Sequence, residues 1–221
     1  MINKKKVFYF LAYTLLVIGI SSWCTTMWIE KFVLSGGQQE MLVDKGEEGA
    51  AASPVRDENA IIEVFSYACH FCQQSSDDVQ KLETQMPAGK KLLYLHINDG
   101  SGSWLSGSAR VFATLNVMGI EKAHRAALYD AVINQQLNVS DTQQFNAWLT
   151  KNGINVEAYR NAEASAEVAD ALEYMKAVTS YYKINGTPSF IIGKRWVAFQ
   201  DSEFSEFSKK MIGMLTSQDK K

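Results

Sequence analysis

The sequence predicts an α/β fold with an inserted α-helical domain, preceded by an N-terminal transmembrane helix. Three observations carry that expectation. A β-branched apolar run, Ala60 to Phe65, leads through a helical segment to a second apolar run, Lys91 to Ile97. Strand, helix, strand is the opening of an α/β unit with parallel strands. From Trp104 to Lys183 helical periodicities follow one another with no convincing strand. At the start of the chain, Lys4-Lys5-Lys6 precedes an uncharged stretch, Val7 to Ile29, which as a helix is about 35 Å long and reaches across a bilayer core.

Composition narrows the function classes. Hydrophobic residues make 47% of the 221 and charged residues 21%, a balance that excludes wholesale disorder. The net charge is −2, and three of the positive charges sit together at the N-terminus. The remaining body is mildly acidic and has no electrostatic footprint for nucleic acid. Three cysteines are too few for a disulfide-stapled scaffold.

Taken in order, residues 1–6 read as a basic cytoplasmic tail and 7–29 as a signal-anchor, with the rest of the chain on the outer side. A cleaved signal peptide would use Val7 to Ile20 and the small pair Ser21-Ser22. The apolar stretch resumes at Trp23, Met27, Trp28 and Ile29, which favours an uncleaved anchor. Cys24, near the outer end of the span, reads as a small apolar filler. Residues 30–59 change composition, with Gly36-Gly37, Gln38-Gln39, a triple Ala and Ser53-Pro54, and read as a linker. Within it Met41-Leu42-Val43 is the only apolar run, a short helix or oligomerisation segment at most.

Ala60 to Phe65 reads as a buried strand. Gln73 to Gln85 follows as a helix that Pro87-Ala88-Gly89 ends, and Lys91 to Ile97 is the second strand. The helical segments after it are Ala109 to Met118, Lys122 to Gln136, Asp141 to Lys151, and a run through Val168, Leu172, Met175, Val178 and Tyr182. Their aromatic and Met stripes read as core. Ser189 to Ile192 and Arg195 to Phe199 read as a hairpin turned by Gly193-Lys194, and Ser202 to Thr216 as a closing helix.

The chemistry lies in Cys69-His70-Phe71-Cys72. Two cysteines with two residues between them can close a small disulfide ring. At the start of a helix their sulfurs meet unpaired N–H groups and the positive end of the helix dipole. That environment favours the thiolate, the form that attacks and leaves in disulfide exchange. His70 adds a second source of positive charge beside Cys69. Cys69 is expected to be exposed and reactive, and Cys72, one turn in, the more buried resolving thiol. A zinc site would need two further ligands, and His96 and His124 stand isolated, so neither a metal nor a cofactor is expected. His96 reads as a strand-end residue with a local hydrogen bond and His124 as a helix-surface residue.

Pro188 is the second anchor. It stands in Asn185-Gly186-Thr187-Pro188-Ser189-Phe190, at a strand start where Pro is tolerated. A cis Thr187–Pro188 bond, set against the cysteine pair, would leave the Thr187 backbone free to pair with an extended substrate.

These residues together resemble the DsbA-like thiol-disulfide oxidoreductases, a branch of the thioredoxin fold. The likeness is carried by Ile61-Ile62-Glu63-Val64-Phe65-Ser66, the Cys69–Cys72 motif, Leu95-His96-Ile97-Asn98 and Gly186-Thr187-Pro188 with its hairpin. A minimal thioredoxin has no room between the cysteines and the proline for a helical domain; DsbA-like proteins insert one. The resemblance implies a thioredoxin-like fold in two parts, 60–102 and 184–221, around an insertion at 103–183. It implies Cys69 as nucleophile, Cys72 as resolving thiol, Glu63 as a buried acid beneath them, and Phe71, Thr187 and Pro188 as substrate contacts. Alternation along the strand leaves open whether Glu63 faces solvent. The sequence departs from the family in its His-Phe dipeptide, in Thr before the proline, and in the anchor.

The function expected is that of a periplasm-facing oxidoreductase that introduces disulfides into exported proteins bearing cysteine thiols. A membrane quinone-linked partner would reoxidise it, as the family implies. The rivals are a reductase or isomerase of the same fold, and a non-catalytic chaperone or assembly module for a secretion or conjugation system.

Overall fold

The computed structural model describes residues 4–28 and 41–218. The far end of the expected membrane span, Ile29, and residues 30–40 of the expected linker lie outside them. Two units are described, each on its own.

The N-terminal unit holds helix α1 (Lys4–Trp28). Its segment Phe8–Met27 has a mean hydropathy of 1.5, and no part of it is buried within the protein. The threonine hydroxyls in this apolar run bond within the helix. Thr25 and Thr26 donate to the carbonyls of Ser21 and Ser22 at 2.8 and 2.9 Å, which lowers the cost of placing them among hydrocarbon.

The second unit is built on a five-stranded sheet in the order β1-β5-β4-β2-β3. β2 (Ala60–Phe65) is central and buried along its whole length, so the sequence run is continuous in apolar character rather than alternating. It pairs in parallel with β3 (Lys91–His96) and antiparallel with β4 (Ser189–Ile192). Strand side chains alternate between faces. Ile61 meets Val79 and Leu82 of helix α3 (His70–Gln85) and Phe207 and Met211 of the last helix. Ile62 and Val64 join a second core with Val178 and Tyr182.

The hairpin differs from expectation. Ile192 pairs with Trp196, so the turn has three residues, Gly193-Lys194-Arg195, and β5 is Trp196–Ala198. Gly193 takes φ +59°, where a side chain would collide with Gln218. Arg195 is held in the turn because its carbonyl accepts from Lys45 N and its guanidinium pairs with Asp44 at 2.7 Å. Asp44 ends β1 (Leu42–Asp44), an edge strand antiparallel to β5, and Lys45 follows it directly. Helix α2 (Gly46–Ala52) follows it. The stretch from residue 41 to 52 is therefore part of the folded sheet unit, which corrects its reading as linker. Pairing with a hairpin far along the chain recruits a strand too short to stand alone.

Between β3 and β4 lies the helical block. It comprises α4 (Ala109–Val117), α5 (Glu121–Tyr129), α6 (Thr142–Lys151), α7 (Val156–Glu163) and α8 (Ala166–Tyr181). α7 is an addition to the sequence reading. The helix expected through Gln136 ends at Tyr129 and continues as a π-helical turn, Asp130–Asn134. Asp141 caps α6 by accepting from Gln143 N and Gln144 N, and Phe145 stacks on Trp148 with 5.8 Å between ring centres. The aromatic stripe is core, as its spacing indicates. Helix α9 (Phe204–Ser217) closes the unit.

Candidate active site

The loop from β2 into α3 positions the two sulfurs. Ser66 fixes its start: its carbonyl accepts from Cys69 N at 3.0 Å, and its hydroxyl donates to Leu105 O at 2.6 Å. His96 braces the loop from β3. Its Nε2 accepts from Tyr67 N at 3.3 Å, so Nδ1 carries the hydrogen and donates to Ile97 O at 2.8 Å. Burial lowers the His96 pKa to about 4, so the ring is neutral. The local hydrogen bond expected of this histidine is present, and the residue is also wholly buried.

Cys69 is the N-cap of α3, and its Sγ accepts from Cys72 N at 3.1 Å. An N-cap is usually an oxygen; here a sulfur meets the donors left unpaired in the first helical turn. The Thr187–Pro188 peptide is cis, and Thr187 O accepts from Cys69 Sγ at 3.3 Å. The proline loop and the cysteine pair therefore meet, although far apart in sequence. Hydrogen bonding from the Cys72 side chain leads the lowering of the Cys69 pKa to about 6, opposed by burial and helped by the Thr187 side chain and the N–H groups of Cys72 and Phe71. The Thr187 hydroxyl is buried and has no formed hydrogen bond, which leaves it free to turn toward a thiolate. Cys72 is fully buried. Burial drives its thiol far up, and the neighbouring Cys69 adds to the effect.

Both cysteines of the motif are free thiols, with the charged form favoured at Cys69 and the neutral form at Cys72. Cys69 is more enclosed than expected, at 4% exposure. His70 is exposed, and its ring bonds Gln74 at 3.0 Å. Phe71 is 70% exposed and borders an open groove of about 530 Å³. Pro188, Phe199 and Phe204 give that groove an apolar floor, with Gln74 and Gln200 as polar edges.

Glu63 lies in the middle of β2 with only 3% exposure, which settles its direction: it faces the interior. Its Oε1 has no hydrogen-bond partner. Burial raises its pKa to about 8, against the attraction of Arg125 and with the repulsion of Cys69 and Glu121. Arg125 and Glu121, both on α5, were not legible as site residues. A Glu four positions before an Arg is visible in sequence, but that spacing ordinarily marks a solvated helix face. His124, on the same helix, is half-buried beside the Trp148 ring. Among the described residues no three His, Cys, Asp or Glu side chains gather as a metal site would need.

Comparison with known proteins gives the family of the fold. A family model described as DSBA-like thioredoxin domain matches residues 93–212. That stretch holds the helical block and the proline loop; Cys69 and Cys72 lie before it. A thiol:disulfide interchange protein DsbA of Azotobacter vinelandii is 22% identical over 136 residues, 62% of this chain and 63% of that protein. The chain thus spans less than two thirds of that relative's length. DsbA of Salmonella typhimurium is 25% identical over 168 residues, 73% of this chain and 75% of its own. Among solved structures, Pseudomonas aeruginosa DsbA superposes with a TM-score of 0.69 at 17% identity, covering 82% of this chain and 95% of its own. A Proteus mirabilis DsbA carrying a non-covalently bound peptide superposes with a TM-score of 0.65 at 18% identity, covering 81% and 98%.

Proposed function

Because the chain belongs to the DSBA-like thioredoxin domain family, we propose that it is a thiol-disulfide oxidoreductase working through Cys69 and Cys72 to introduce disulfides into exported proteins. The observation that carries this reading is the meeting of the Cys69 sulfur with Cys72 N on one side and Thr187 O on the other. The named relatives are thiol:disulfide interchange proteins, and one solved neighbour holds a peptide.

In the oxidised enzyme a substrate thiolate attacks Cys69 Sγ. The Cys69–Cys72 bond breaks, and Cys72 leaves with the electron pair. The Glu63 carboxylic acid, still protonated near neutral pH, returns a proton to that sulfur. A second substrate thiolate then attacks the substrate sulfur of the mixed disulfide. Cys69 leaves as a thiolate, stabilised by the helix N-terminus. Two electrons pass from substrate to enzyme, and the substrate gains one disulfide. A stable Cys69 thiolate favours the reduced enzyme and so makes the pair oxidising: each 30 mV is about 1.4 kcal/mol for this couple. Phe71, Pro188 and the adjoining groove seat an extended segment of the substrate, whose backbone pairs at Thr187.

The oxidising direction requires a compartment outside the cytoplasm. Lys4, Lys5 and Lys6 ahead of the apolar helix favour an inner-membrane anchor with the sheet unit on the periplasmic side. Reoxidation falls to a membrane quinone-linked partner. The test is equilibration with glutathione buffers, followed by oxidation of a reduced protein and reshuffling of a scrambled one. A potential near about −120 mV with oxidation supports the proposal; one near about −270 mV makes the chain a reductase. Complementation retained by Cys69→Ala would instead make it a non-catalytic chaperone or assembly module.

A further inference from the structure

Beneath the cysteine pair the helical block inserts two charges into the core. Glu121 and Arg125 form a two-pronged ion pair, with Nε to Oε1 at 2.9 Å and Nη2 to Oε2 at 2.6 Å. Their side chains are 4% and 13% exposed. The pair has two attachments to the site. Tyr67, two residues before Cys69, donates its hydroxyl to Glu121 Oε1 at 2.7 Å. Arg125 lies over the Tyr94 ring, its Cζ 3.6 Å from the ring centre, and Tyr94 is the residue directly opposite Glu63 in the β2–β3 register. Neighbouring strands are about 4.8 Å apart, so the guanidinium is one side chain removed from the Glu63 carboxyl.

A buried ion pair is a poor device for stability alone, because apolar residues of equal volume fill such a site as well or better. What the pair supplies and apolar residues do not is a directed field. We propose that Arg125 and Glu121 are positioning residues of the thiol-disulfide centre, the cation holding the Glu63 carboxylate in check and the anion tying the field to the Cys69 loop through Tyr67. This proposal deepens the oxidoreductase reading and rests on it for its relevance to turnover. Glu63 is faced from α3 by Cys69 and Cys72, from β3 by Tyr94, and from α5 by Glu121, Arg125 and Tyr129. Arg125 is the single cation in that set. A surface recess of about 330 Å³ lined by Tyr94, Glu121 and Arg125 brings solvent to the pair while Glu63 stays buried. The helical block thereby does more than cover the sheet: it sets how readily the buried acid gives its proton to Cys72.

The test follows the protonated Glu63 carbonyl band by infrared difference spectroscopy of the full chain in detergent, in the reduced state, assigned with Glu63→Gln. In the wild type the band is expected to fade with a midpoint near 8. Glu121→Gln keeps volume and the Oε1 contacts to Tyr67 and Arg125 Nε, gives up the Oε2 bond from Arg125 Nη2, and leaves Arg125 unopposed, and the midpoint is expected to fall by about one pH unit. Arg125→Met is expected to raise it by about as much, and Arg125→Lys to leave it near the wild-type value. Opposite shifts support the proposal, since mere loosening of the core would move both variants the same way. Shifts of the same sign, or no shift in either, overturn it. If Arg125→Met does not fold, Glu121→Gln decides alone: a downward shift supports and any other result overturns. The readout needs no turnover, so a wild type that fails to exchange disulfides would sink the oxidoreductase reading and leave this measurement standing.

Discussion

The head of α3 and the middle of β2 lie only a few residues apart in sequence, yet they treat ionisable groups in opposite ways. At the helix head, Cys69 accepts from the Cys72 N–H beside the Cys72 and Thr187 side chains, and its charged form is favoured. In the strand, Glu63 has one oxygen with no partner at all, and its neutral form is favoured. The comparison teaches that one short stretch of chain can favour the charged form of one group and the neutral form of another. One environment supplies donors, the other withholds water, and the two apparent pKa values are pushed past each other. Cys72, fully buried, sits on the neutral side.

Removing the sulfur at the helix head should break this contrast most severely. Cys69→Ala is expected to abolish exchange, by about a thousandfold or more in rate, as measured by oxidation of a reduced model protein. Cys72→Ala should instead trap a mixed disulfide through Cys69, visible by mass. Equal trapping by both variants would remove the distinction between the sulfurs. Next in size is the buried acid. Glu63→Gln is expected to slow exchange near pH 7 by about a hundredfold. The same variant sharpens the comparison through stability. The folded Glu63 pKa, about 8, lies above its ordinary value of 4.5. The stability tied to its proton is full below 4.5 and lost as pH rises through 8. Chemical denaturation should therefore show Glu63→Gln gaining on the wild type across that interval; a constant difference would place the carboxyl in water.

A smaller effect is expected at the brace behind the loop. His96→Leu leaves Tyr67 N–H without its acceptor, at a cost of about 1–3 kcal/mol. The His96 pKa is about 4 when folded against 6.5 ordinarily, so the wild type loses stability as pH falls from 6.5 toward 4, and the variant should lose less over that range. Smallest is a change remote from the sulfurs. Asp141→Ala removes the cap of α6, costing about 1 kcal/mol by denaturation, with the Cys69 titration unmoved.

What could be seen in the sequence was what is decided locally. The cysteine motif follows a buried strand and opens a helix, the proline begins a strand, and each of these signals lies within a few residues. The helical block was legible for the same reason, except where a π-helical turn broke one helix and a short helix, Val156–Glu163, buries only Tyr159. β1 was hidden because Leu42–Asp44 is a strand only by virtue of Val197 opposite Val43 and Arg195 opposite Lys45; by sequence it is a short apolar run inside a polar stretch. Glu63 could be placed only once β2 was known to be covered on both faces. Arg125 was out of reach, because nothing in α5 announces that its guanidinium lies over a tyrosine of β3.

The central claim is that Cys69 alone carries the thiolate near neutral pH. The direct measurement is the pH dependence of thiolate ultraviolet absorbance, taken as the difference between the reduced and oxidised full-length protein so that tyrosine cancels. One thiolate should appear with a midpoint near 6 and vanish in Cys69→Ser. Absorbance that stays absent until pH 8, or that persists in Cys69→Ser, would contradict the account.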